Sequence, residues 1–177
     1  KVYGVEEGNL IRAAAHADAL KGLATDPQGL RAYWGRLSDA ERVLPRVAGA
    51  AAASFLRLGG DREAADIVAH ALSRHWDPAL LAIYAACRVP EPVRQLEQAE
   101  RWLPEHSQDA ALLHALGVLC QRQQLWGKAQ TYLEAALSLD ANARTHVALG
   151  ELLARLGRDG EANAHFSAAL KLALGDM

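Results

Sequence analysis

Apolar residues recur along this chain at spacings of three and four, with charged and amide residues between them. Short clusters of Gly, Pro and Asp interrupt that rhythm at Asp26-Pro27, Gly59-Gly60, Asp77-Pro78, Pro90, Pro92, Pro104, Gly127, Gly157 and Gly160. Between the breaks the periodicity predicts about ten helices, over 6–24, 27–37, 40–58, 61–75, 78–87, 91–103, 108–123, 126–139, 142–156 and 159–174. Composition sharpens this. The 177 residues include 37 Ala and 28 Leu, two strong helix formers, and only 6% aromatics. The expected fold class is all-α. At 51% hydrophobic the chain can bury a core, which sets it apart from disordered sequences. Nineteen Lys and Arg against 21 Asp and Glu leave a formal charge of −2, without the basic excess of a nucleic-acid binder.

The chain also repeats itself. Residues 110–140 laid on 143–173, an offset of 33, give 12 identities in 31 positions, among them Gly117/Gly150, Arg122/Arg155 and Ala129/Ala162. Composition alone would give about three. A related frame runs through 45–72. In each copy a small residue on one helix (Ala52, Gly117, Gly150) is followed twelve positions later by Ala (Ala64, Ala129, Ala162). Then come a bulky residue (Val68, Leu133, Phe166) and a further Ala (Ala71, Ala136, Ala169). Small residues at facing points let two antiparallel helices approach closely, and the bulky residue plugs the space beside them.

This small, Ala, bulky, Ala spacing resembles the tetratricopeptide (TPR) repeat. The resemblance implies a right-handed α-solenoid of antiparallel helix pairs, because one such pair cannot bury its apolar face alone. The expected organisation is 1–44 as atypical N-terminal helices, 45–76 as a TPR-like repeat and 77–108 as a degenerate helical repeat. A TPR repeat over 109–141 and another with the C-terminal helix over 142–177 complete it.

Three strings are more specific: AERWLPEHSQDAALLHALGVLCQRQQLWGKAQTYLEAAL (Ala99–Leu137), ALSRHWDPALLAIY (Ala71–Tyr84) and LARLGRDGEANAHFSAAL (Leu153–Leu170). With Trp102, Leu116-Gly117, Trp126 and Lys128-Ala129 as the most telling positions, they resemble the soluble part of the proteobacterial HemY-type proteins. The resemblance implies a membrane-anchored TPR protein associated with a late step of protoheme IX synthesis. It implies haem-biosynthesis enzymes as protein partners and the bacterial inner membrane as the location, with this part on the cytoplasmic side. The family carries two transmembrane helices before its repeats. No such span occurs between Lys1 and Met177, so the anchor is expected in an upstream segment. An unrelated flavin-dependent oxidase shares the family name, but the strand–GxGxxG–helix fingerprint of a dinucleotide enzyme does not occur here.

No catalytic, cofactor or metal constellation is legible. Cys87 and Cys120 lie 33 apart in apolar helical surroundings, without zinc or redox spacing, and read as small core residues. Asp66/His70 and Glu161/His165 have the i,i+4 spacing that could hold a metal, but read as solvated helix-surface pairs. Haem contact through His114 or Cys120 would suit the family's pathway, but no C-x-x-C-H attachment sequence occurs. The chain is therefore expected to be no enzyme and to hold no cofactor; the alternative function is a haem or porphyrin carrier.

In the TPR frame the first helix of each pair lines the concave face. That places Arg46, Arg57, His114, Gln121, Arg122, Arg144, Glu151 and Arg155 in a groove for a protein partner. Arg57, Arg122 and Arg155 recur at one frame position and suit carboxylate recognition, or are ordinary solvated arginines. The Lys/Asn clamp of chaperone-binding TPR proteins is not matched, since His114, Val118 and Val147 occupy its key positions.

Overall fold

The computed structural model describes residues 3–175, with side chains from Glu7 onward. Lys1, Val2, Asp176 and Met177, at the ends of the two outermost expected segments, lie outside the described residues. Those described form twelve α-helices and no strand, in two compact units that meet in sequence at Pro90–Glu91.

The N-terminal unit contains α1 (Tyr3–Gly22), α2 (Pro27–Arg36), α3 (Asp39–Arg42), α4 (Pro45–Arg57), α5 (Asp61–Arg74) and α6 (Ala79–Ala86). The helix expected over 40–58 is two helices. Pro45 has no N–H to continue a helix and sits in the first turn of α4, with Leu44 extended before it. The short α3 exists because Ser38 and Glu41 form a reciprocal capping box. Helix α4 packs on α1 and α5. Its Val47, Ala48, Ala51 and Ala52 are fully buried, and Ser54 donates to the Leu20 carbonyl of α1 at 3.1 Å. His16 joins α1 to α2 and α3 through Tyr33 Oη at 2.9 Å and Glu41 at 3.4 Å.

The C-terminal unit contains α7 (Pro92–Glu100), α8 (Leu103–His106), α9 (Ala110–Arg122), α10 (Trp126–Leu139), α11 (Ala143–Arg155) and α12 (Asp159–Gly175). The segment expected over 91–103 ends early, and Pro104 in a first turn marks the separate α8. Helices α9/α10 and α11/α12 are antiparallel pairs, and α11 packs on both α9 and α10. Gly117 and Gly150 are where each pair closes. A Cβ on Gly117 would lie 2.6 Å from Leu133 Cγ, and one on Gly150 would lie 2.6 Å from Phe166 Cε1. Ala129, Leu133, Ala136 and Ala162 are buried beside them, as the spacing requires.

The first helices α4, α9 and α11 end alike. Gly60, Leu125 and Arg158 N–H donate to the carbonyls of Phe55, Cys120 and Leu153, while Gly59, Gln124 and Gly157 N–H donate to Leu56, Gln121 and Ala154. This double pattern is the Schellman cap, which needs a left-handed residue at its corner. Gly59 (φ 78°), Gln124 (φ 59°) and Gly157 (φ 74°) supply it. The repeat is thus visible in backbone geometry, even where Gln124 replaces the glycine.

Candidate functional site

The site grows from the start of α11. Asn142 is its N-cap: Oδ1 accepts from Thr145 N–H at 2.9 Å and from Thr145 Oγ1 at 3.0 Å. Its Nδ2 donates to the Asp140 carbonyl and to Asp140 Oδ2, at 3.3 and 3.0 Å. Thr145 is fully buried, and its Oγ1 lies 3.0 Å from His114 Nδ1 on α9. Asp109, 33 residues before Asn142, caps α9 through Ala111 and Leu112 N–H. Each cap starts its own helix, and the His114–Thr145 contact joins the two.

Between them opens a cavity of about 310 Å³, lined by Ala110, Ala111, His114, Asp140, Asn142, Arg144 and Thr145. Burial, reinforced by the Arg144 guanidinium, pushes the His114 imidazole down to about 4, so the ring is neutral near pH 7. Beside the cavity Gln121 Nε2 donates to the Ala148 carbonyl of α11 at 2.7 Å.

The expected groove residues divide accordingly. His114 and Arg144 meet in the cavity. Gln121 ties α9 to α11, while Arg122, Glu151 and Arg155 are exposed farther along these two helices. Arg46 and Arg57 are exposed on α4 in the N-terminal unit. Sequence reasoning missed Asp140, Asn142 and Thr145. Part of the signal was present: Asn142 directly before the apolar rhythm of 143–155 is an N-cap signature.

The i,i+4 histidine pairs are not surface pairs of their own helices. His70 reaches Asp39 of α3 at 2.9 Å, and that contact holds the Asp39 carboxyl below its ordinary value. His165 meets His146 of α11, Nδ1 to Nδ1 at 2.9 Å, and Glu161 is held by Arg158 at 2.6 and 2.7 Å. Cys87 and Cys120 are buried thiols outside any disulfide, and burial pushes Cys120 up to about 11. Among the described residues no group of three or more His, Cys, Asp and Glu is placed to hold a metal, and no helix is long and apolar enough to cross a membrane.

No family model matches this chain, and no curated protein does. Solved structures do. "MamA RS-1 ArsTM double mutant" is 17% identical with a TM-score of 0.59, covering 91% of this chain and 96% of that one. "Crystal structure of MamA" is 15% identical with a TM-score of 0.57, over 84% of this chain and 88% of that one. "MamA MSR-1 C2" is 15% identical with a TM-score of 0.56, over 94% and 99%. The fold is TPR-like. It is an all-α solenoid of antiparallel helix pairs, and at these identities the likeness speaks for the fold alone.

Proposed function

We propose that this chain is a non-enzymatic protein-interaction scaffold that holds a segment of a partner protein between α9 and α11. The observation that carries this reading is the cavity of about 310 Å³ between the first helices of two consecutive repeats, where His114, Asp140, Asn142 and Arg144 converge. TPR-like arrays present such surfaces to extended partners. His114 and Arg144 contact the segment, and Gln121, Arg122, Glu151 and Arg155 lie on the same two helices. Arg46 and Arg57 offer the corresponding positions on α4.

The finer reading is that the partner belongs to a late step of protoheme IX synthesis, at the bacterial inner membrane. Its support is the likeness of Ala71–Tyr84, Ala99–Leu137 and Leu153–Leu170 to HemY-type proteins, which also suggests an upstream membrane anchor and a cytoplasmic position for these repeats. The test is affinity capture with the full-length protein from native membranes, followed by mass spectrometry. Haem-pathway enzymes should be recovered, and replacing His114 and Arg144 together by Ala should deplete them. Unchanged recovery from that variant refutes the groove; recovery of a partner unrelated to tetrapyrroles refutes the finer reading alone.

A further inference from the structure

The hydrogen bonds around Thr145 determine which proton His114 carries. Asn142 Oδ1 is identified as the oxygen because it accepts from Thr145 N–H at 2.9 Å, while Nδ2 donates to Asp140. The Thr145 hydroxyl lies 3.0 Å from that same oxygen, so its single proton points there. Thr145 Oγ1 can therefore only accept from His114 Nδ1 at 3.0 Å, and the proton is on Nδ1. Nε2 is left as a bare lone pair. It has no partner among the described residues, and none of their buried side-chain nitrogens or oxygens is unsatisfied, so Nε2 is open to solvent on a residue that lines the cavity.

The cavity thus offers an acceptor at His114, a donor at Arg144, and charges at Asp140 and Arg144 that offset each other. We propose that it binds a carboxamide of the partner, an Asn or Gln side chain or a main-chain amide, and that it rejects a carboxylate. An amide supplies an N–H for His114 and a C=O for Arg144. A carboxylate has no proton to give, would set a lone pair against Nε2, and would meet Asp140. An ammonium would satisfy Nε2 but faces Arg144. A neutral His114 at working pH agrees with this pattern.

The inference rests on the scaffold reading for its ligand being part of a protein, so its test uses small probes and no partner. The whole chain, uniformly labelled with ¹⁵N, is titrated by NMR near neutral pH with propionamide and, separately, with isosteric propionate. Propionamide should shift the His114 Nε2 resonance saturably, with propionate about tenfold weaker or more, since a lone pair is left unpaired. Arg144→Ala should weaken propionamide, and His114→Phe should abolish its effect on the Thr145 amide. Equal or tighter binding of propionate, or saturation by neither probe, overturns the proposal. Neither result bears on the scaffold reading, which stands or falls on capture of the partner from membranes.

Discussion

Gly117→Ala tests the central packing idea with one methyl group. In isolation the change favours the helix, because Ala has a propensity advantage of about 1 kcal/mol over Gly in a helix interior. Here the new Cβ would stand 2.6 Å from Leu133 Cγ, 2.7 Å from Cδ2 and 3.4 Å from the Ala129 carbonyl. Carbon pairs sit comfortably at about 3.5–4 Å, so something must move by about 1 Å. Leu133 is fully buried and cannot yield alone. Overpacking of this kind costs roughly 1–3 kcal/mol, which against the propensity gain leaves a net loss of about 0–2 kcal/mol. Gly150→Ala is the internal control. Its Cβ would approach Phe166 as closely, but Phe166 is 36% exposed and its ring can swing outward, so the net change is about zero. Leu133→Ala alone should cost about 2–5 kcal/mol, and combined with Gly117→Ala it should cost at least about 1 kcal/mol less than the two added. Urea unfolding followed by far-UV circular dichroism measures all four. A Gly117→Ala protein stabilised by its propensity gain, or strict additivity with Leu133→Ala, refutes the claim that this glycine is the contact point of the pair.

Three further outcomes follow from the same geometry. Gln124→Gly should raise stability by about 1 kcal/mol in the same unfolding assay, because Gln124 stands at φ 59° where Gly59 and Gly157 serve the other copies. Unfolding should also depend on pH through His114, whose folded value of about 4 lies below the ordinary 6.5. Between these values the unfolded chain binds the extra proton. Its contribution is therefore complete above pH 6.5 and lost as pH falls toward 4, by roughly 2 kcal/mol once partial exposure is allowed for, and His114→Gln should flatten that slope. Cys120, sealed from solvent with its thiol pushed up to about 11, should resist iodoacetamide in the native chain and react once unfolded, as read by intact-mass spectrometry.

Much of the array was legible before any coordinates. Gly117, Ala129, Leu133 and Ala136 could be placed because a contact that tolerates only small residues leaves a fixed spacing in the sequence. The helix limits near Gly59 and Gly157 were equally plain, since a left-handed cap selects glycine. Gln124 shows where this signal fails: the backbone keeps the left-handed turn although the residue that normally reports it is gone. Pro45 splits an expected helix because a missing N–H outweighs an otherwise continuous apolar rhythm, whereas Pro104, already a break in the sequence, lies in the first turn of α8.

The candidate site was legible only in part. Residue type and frame position pointed to His114 and Arg144, but not to the neutral state of the ring or to Thr145 as its partner. By itself the sequence determined an all-α repeat of close-packed helix pairs, because periodicity, caps and small-residue spacing are local properties written every few residues. Only the tertiary structure decided which histidine meets which group: His70 with Asp39, His146 with His165, His114 with Thr145. Such pairings join residues 19 to 31 positions apart. Their hydrogen bonds and burial depend on how one helix is rotated against the next, which no local spacing encodes.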